Sequence, residues 1–413
     1  MTEARPFPLS SEPAAQKPFC RRVFYIPGYD PIHPRRYREL YRREGSEQAR
    51  ISGYSLTLGR KKTQGRYGWH ATATIDGRTA QADIEVLVWS DIVRTSMQQG
   101  ILATYLQLLR TAAAYILTGA IFRLMRLRKG PMIAALYPIG MLLLQLALAC
   151  LIGWGLYLLG ATIHPVIGLF LALPALWQTL CFFRKHDNRL YAYYLMHDYA
   201  HSAQSLGAYP PELETRLAQF RQTIAQALTE DSDEVLIVGH SSGTHLAISI
   251  LADLIRAGLP THRPALALLS LGQVVPMISF LPKANRLRAD LNYLSARPDL
   301  TWIDVTAPGD GCAFALCDPV AVTGVAPPNQ LWPLILSAAF TQTLSPERWK
   351  QLRWRFFRLH FQYLCAFDAL AGRPGDYDYF KITAGAETLS QRYAGRQPSK
   401  SRITTPRSGY RSL

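Results

Sequence analysis

The sequence predicts an α/β fold, a mostly parallel sheet flanked by helices and interrupted by a two-span transmembrane helical hairpin. Three observations lead there. Residues 234–247, EVLIVGHSSGTHLA, read as a buried strand, a glycine-flanked turn and a helix. Residues 131–183 contain no Asp, Glu, Lys or Arg over 53 positions. Short apolar segments at 23–26, 84–89, 265–271 and 301–305 alternate with helix-like stretches on both sides of that run.

The first of these carries chemistry. Val235, Leu236, Ile237 and Val238 form the apolar, β-branched run of a parallel strand covered on both faces. The next helix places Leu246, Ile250 and Leu254 on one face and stops at Gly258, with Pro260 just beyond. Between them lies G-x-S-x-G: Gly239, His240, Ser241, Ser242 and Gly243. An abrupt strand-to-helix turn lifts a hydroxyl clear of the sheet beside free backbone N–H groups, and glycines let the chain crowd there. Ser241 is the expected nucleophile. The other reading is a glycine-rich turn without chemistry, such as a phosphate loop.

This arrangement resembles the nucleophile turn of the α/β-hydrolase superfamily, a likeness covering about two-thirds of the chain and leaving out the apolar insertion. The resemblance implies a triad in the chain order serine, acid, histidine. Downstream of Ser241 the histidines are His245, His262 and His360; the first lies in the helix after the serine and the second directly behind it, which leaves His360. The acid belongs in a loop after a strand, and TWIDVTAPGDGCAF offers Asp310, with Asp304 in the strand and Asp318 further along as rivals. The resemblance also implies two oxyanion donors, the N–H groups of Ser242 and of Tyr29, with Gly28 allowing close approach after the strand at 23–26. Here the chain departs from the family: Pro27 stands where many members have histidine before that glycine. An ordinary Pro-Gly-Tyr-Asp turn is the alternative.

The uncharged run suffices for two bilayer-spanning helices, near 139–159 and 166–183, broken at GATIHP. Basic residues flank both outer ends: Arg123, Arg126, Arg128 and Lys129 before, Arg184, Lys185 and Arg189 after. That pattern places both ends in the cytoplasm. If the strands at 23 and 235 share a sheet, the spans between them must be even in number, so the apolar stretch 97–122 is expected to lie along the interface. The chain of 413 residues carries a net charge of +16. Eight basic residues between 92 and 186, and five between 396 and 413, account for most of it without a single acid. The excess therefore reads as a membrane signal; no basic–aromatic nucleic-acid face stands out.

The expected organisation is a loose leader (1–18), a first part of the catalytic domain (19–92), the membrane insertion (93–190), the second part (191–393) and a basic disordered tail (394–413). His197 and His201 share a helical spacing used for zinc, but aspartate replaces the usual glutamate and no third ligand declares itself. The six cysteines read as reduced thiols. No metal or organic cofactor is expected. The reading is a serine hydrolase of esterase, lipase or thioesterase type, anchored in the inner or cytoplasmic membrane and facing the cytoplasm, with membrane lipids and an ester or thioester substrate as partners. An acyltransferase using the same triad and an inactive membrane scaffold are the rival readings.

Overall fold

The computed structural model describes residues 17–65, 67–372 and 376–413. The leader expected at 1–18 lies, except for its last two residues, outside them. The described residues form an α/β fold around one eight-stranded sheet: β1 (Phe19–Ile26), β2 (Ser55–Gly59), β3 (Gly68–Ile75), β4 (Arg78–Val86), β5 (Glu234–His240), β6 (Ala265–Leu271), β7 (Thr301–Thr306) and β8 (Leu334–Ser337). Their spatial order is β2-β3-β4-β1-β5-β6-β7-β8. The six strands from β4 to β8 run parallel, and β2-β3-β4 is an antiparallel edge.

Alternation along the central strands explains their apolar sequences. Phe24, Ile26, Val235 and Ile237 face one core, whereas Val23, Tyr25, Leu236 and Val238 face the other. Helices cover both faces, so polar side chains on the central strands lose water and cost least when paired. Arg21 and Glu234 sit opposite one another on β1 and β5, fully buried, and close an ion pair of 2.6 Å. Glu234 also accepts the Leu389 N–H, and Arg21 donates to the Gly385 carbonyl. From β1 the chain first builds the β2–β4 side, and from β5 it builds the other side. The carboxyl ends of β1 and β5 therefore border the switch point where α/β sheets place ligands.

Helices Lys129–Ala161 and Pro165–Lys185 are long and apolar enough to cross a membrane. They pack as a hairpin on small residues: a Cβ at Gly160 would stand 2.6 Å from the Gly168 Cα. At 33 residues the first helix is ~50 Å long, against a hydrocarbon core of ~30 Å. Its first turns pack against the sheet domain, with Met132 and Ala135 in a core shared with Phe314. Tyr137 donates its hydroxyl to the Leu190 carbonyl at 2.7 Å. The stretch 97–122 expected along the interface forms helix Ile101–Leu117 and the start of Ala120–Met125, and the preceding helix Ser90–Met97 meets Ile101–Leu117 at a bend of 105°. Leu108 of Ile101–Leu117 packs on helix Ala192–Ala203, while Leu102, Leu106 and Leu109 stay exposed.

Residues 394–413 are not the disordered tail expected from their charge. Ile403 bridges to Cys317, the Arg407 N–H bonds the Val322 carbonyl, and Ser408 is buried. Backbone pairing holds this segment, and backbone pairing leaves no mark in composition.

Candidate active site

Ser241 occupies the turn between β5 and helix Gly243–Arg256 with φ of 57°, a left-handed conformation that costs a non-glycine residue about 1–3 kcal/mol. Its N–H donates to the Leu271 carbonyl at 2.9 Å, which pins the turn to β6. Glycines make the turn possible. A Cβ at Gly243 would stand 2.2 Å from the Ile26 carbonyl oxygen, and one at Gly239 would stand 2.8 Å from the Thr244 Cα. A Cβ at Gly28 would meet the Ser241 Cβ at 2.9 Å. The turns after β1 and β5 thus nest against each other with backbone alone between them.

His360 reaches this place from the far side of the sheet, on the short helix Phe356–His360 that follows β8. Its Nδ1 meets Asp310 Oδ2 at 2.7 Å. Asp310 follows β7 and is buried. Burial alone would push its carboxyl up. The facing His360 charge and hydrogen bond, the Cys312 N–H on Oδ1 (2.9 Å) and the Tyr363 hydroxyl on Oδ2 (3.0 Å) outweigh that and hold it below the usual carboxylate range. The two rival acids are employed elsewhere. Asp304 accepts the Ser270 hydroxyl at 2.6 Å, and burial pushes it up to about 8, so it is neutral at pH 7. Asp318 caps helix Pro319–Thr323 by accepting from the Val320 and Ala321 N–H groups.

The turn after β1 differs from the expected arrangement in one detail. The Tyr29 N–H donates to Ser242 Oγ at 2.8 Å, so this donor is engaged by the residue next to Ser241. The Ser242 hydroxyl proton has no acceptor among the described residues.

Two contributors were not foreseen. His240, the variable position before the serine, meets the His360 carbonyl with Nε2 at 3.0 Å. Burial lowers it to about 3, with the nearby His360 charge acting in the same direction, so His240 is a neutral donor. Tyr363 fixes both ends of the acid loop, donating to Asp310 and accepting from the Ala307 N–H at 3.0 Å. Their adjacency to Ser241 and His360 was the only signal available in the sequence.

Ser241, Ser242, His240 and His360 open on one cavity of about 980 Å³. Its walls are largely apolar and aromatic. Ile133, Ala134 and Tyr137 come from the first long helix, Met277 and Ile278 from beyond β6, and Phe357 from the His360 helix. Asp198 also faces it without a hydrogen-bond partner among the described residues; burial raises its carboxyl to about 7 against the opposing His360 charge. Ser241 and His360 make no hydrogen bond here. In unliganded enzymes that contact is often long and tightens on substrate.

Asp310, Cys312 and His360 bring three ligand-type atoms within 4.8 Å. Asp310 and the His360 Nδ1 nevertheless face each other in a hydrogen bond, and burial holds the Cys312 thiol neutral. His197 bonds Gln107 through Nδ1 at 2.9 Å, and among the described residues His197 and His201 belong to no group of three ligand-type atoms within reach of one ion. All six cysteines are free. Compared with protein-family models, with curated proteins and with solved structures, the chain matches none of them.

Proposed function

We propose that this chain is a membrane-anchored serine hydrolase of the α/β-hydrolase type that cleaves a lipidic ester or thioester. One observation carries the reading: a serine at φ 57° and an Asp–His pair at 2.7 Å, from three separate sheet connections, open on one cavity in the chain order serine, acid, histidine.

In the reaction, Ser241 Oγ attacks the carbonyl carbon while its proton passes to His360 Nε2. Asp310 holds the ring through Nδ1–H and stabilises the imidazolium. The carbonyl oxygen becomes an oxyanion beside Ser242. As the tetrahedral adduct collapses, the C–O or C–S bond breaks and His360 Nε2–H protonates the leaving alcohol or thiol. Water, deprotonated by the same nitrogen, then cleaves the acyl-serine and releases the acid. The helices Lys129–Ala161 and Pro165–Lys185 anchor the domain as a two-span hairpin, with both outer ends on the cytoplasmic side by their flanking arginines and lysines.

The test is covalent labelling of the membrane-embedded protein with a fluorophosphonate, followed by peptide mapping. Adduct on Ser241, absent from Ser241→Ala, supports the reading. A protein that stays unlabelled while folded leaves the inactive scaffold. Product analysis with added alcohols separates hydrolysis from acyl transfer.

A further inference from the structure

Three arginines at the cavity are not explained by the triad. Arg189 precedes helix Ala192–Ala203, and Arg355 and Arg358 flank and enter the His360 helix; all three line the cavity. None has an acidic partner among the described residues. They belong to neighbouring elements: the Tyr191 ring lies 4.8 Å from the Phe357 ring, which joins the two segments that carry them. The cavity's acids do not neutralise them. Asp30 is held by the Tyr37 hydroxyl at 2.7 Å and by Arg36 at 3.7 Å. Asp310 pairs with His360, and Asp198, which lines both this cavity and a smaller pocket beside Trp89 and His201, forms no ion pair with any of the three.

The apolar part of the same cavity is made by the membrane hairpin itself. Gly130, Pro131, Ile133, Ala134 and Tyr137 line it, and all belong to the first turns of a helix that is ~20 Å longer than a hydrocarbon core needs. If the remainder spans, these turns stand at the depth of lipid headgroups, next to Arg189 and the basic end of the second helix. A forked guanidinium matches a phosphate in shape as well as charge.

We propose that the cavity binds an acyl lipid with a phosphate-bearing, net anionic headgroup, the head held by Arg189, Arg355 and Arg358 and the scissile chain laid along residues 130–137 toward Ser241. This rests on the serine-hydrolase reading and adds the headgroup class to it. The lipid enters sideways from the bilayer, because the wall of the cavity is the membrane helix.

The experiment uses the full chain in neutral detergent micelles containing phosphatidylglycerol or phosphatidylcholine with identical acyl chains, and measures fatty acid release. The wild type is expected to favour the anionic lipid by about 10-fold or more in kcat/KM, because the choline ammonium of the neutral lipid is repelled by the three guanidinium groups while phosphatidylglycerol brings no cation to them. The variant Arg189→Gln/Arg355→Gln/Arg358→Gln should lose that preference, its kcat/KM falling most on phosphatidylglycerol, yet keep fluorophosphonate labelling. Micelles also concentrate cationic proteins near anionic lipid, so a second variant removes as many charges outside the cavity: Arg126→Gln/Lys129→Gln/Lys185→Gln should keep the preference. Equal cleavage of both lipids by a wild type that labels at Ser241 overturns the headgroup site and leaves the hydrolase standing. Loss of preference in the second variant as well would reduce it to bulk charge. Preferential turnover of a soluble long-chain acyl-coenzyme A over both lipids would keep phosphate recognition but reject entry from the bilayer. A protein that neither labels nor releases fatty acid fails at the underlying reading.

Discussion

His240 holds His360 by the backbone: its Nε2–H donates to the His360 carbonyl at 3.0 Å, and the two rings stand 4.9 Å apart. The residue before Ser241 therefore positions His360, the residue proposed to deprotonate it. That requires a neutral imidazole with its proton on Nε2, and burial supplies this by lowering His240 to about 3.

His240→Ala should lower kcat by about 10-fold, the scale of one positioning hydrogen bond of ~1.5 kcal/mol, with KM little changed. His240→Gln keeps an N–H donor of similar reach and should recover most of the rate. Equal rates for the two variants, with equal loss of thermal stability, would make His240 a packing residue only.

Asp310→Asn should cost about 10⁴ in kcat, because an amide cannot stabilise the imidazolium and can hold the ring in the wrong tautomer. Asp304→Asn should leave activity near wild type, and its effect is on stability. The Asp304 carboxyl is raised from about 4 to about 8 in the folded protein. Between those values the folded state binds the extra proton, so this group's contribution is complete below pH 4 and is lost as pH rises through 8. Melting temperatures of wild type and Asp304→Asn should therefore diverge in favour of the variant between about pH 4 and pH 8. A constant difference across that range would mean that Asp304 is already ionised in the folded protein and that burial does not raise its carboxyl.

Ser241→Ala and Ser241→Gly should both abolish labelling, and they should differ in stability. At φ 57° alanine keeps the strain that serine carries, whereas glycine relieves it. Glycine should be the more stable of the two by roughly 1 kcal/mol, after allowing for its greater freedom in the unfolded chain. Chemical denaturation gives the comparison directly.

Ser242 separates two versions of the oxyanion site. Its hydroxyl accepts the Tyr29 N–H at 2.8 Å and lines the cavity with its own proton free. Ser242→Ala keeps the backbone N–H and removes only the hydroxyl; if that hydroxyl proton serves the oxyanion, kcat should fall by about 10²-fold, the effect of one lost donor, with KM unchanged. A rate at or above wild type would assign the role to the Tyr29 N–H, which the substitution frees.

Local features were the legible ones. The elbow could be read because Val235–Val238, two glycines and an amphipathic helix are contiguous, and β6 was read to its termini, Ala265–Leu271. The acid stayed open between Asp304 and Asp310, since only the position of His360, fifty residues on, shows which one a ring can reach. The alternating run from Ile51 to Leu58 suggests one strand, but the helix from Arg35 continues to Ser52 and ends on Gly53 at φ 71°, so the strand begins only at Ser55. Strand β8 went unseen because four residues, Leu334–Ser337, just after Pro333, are too short for a period to show. The first long helix begins ten residues before the expected span, at Lys129 rather than Ile139, because its early turns pack on the sheet domain while the later ones face outward. That distinction is tertiary, and apolar composition is blind to it.

The membrane arrangement leads to the last expectation. The exposed sides of both long helices carry Leu143, Leu144, Leu151, Phe170 and Leu173, an apolar surface that water does not tolerate over such a length. The exposed Leu102, Leu106 and Leu109 on helix Ile101–Leu117 continue it beside the domain. The protein should fractionate with membranes and stay there in high salt, which screens charge but not hydrocarbon burial. Detergent should release it. Activity on model esters should rise with acyl length, because each buried methylene contributes about 0.8 kcal/mol and the cavity wall at Ile133, Ala134 and Tyr137 offers apolar surface along the chain's path. Ile133→Asp, at the lining but away from the reacting atoms, should flatten that dependence while leaving fluorophosphonate labelling intact. Complete release by salt would refute the spanning hairpin. A wild-type preference for acetyl over long-chain esters would leave the anchor in place and reject the lipid substrate.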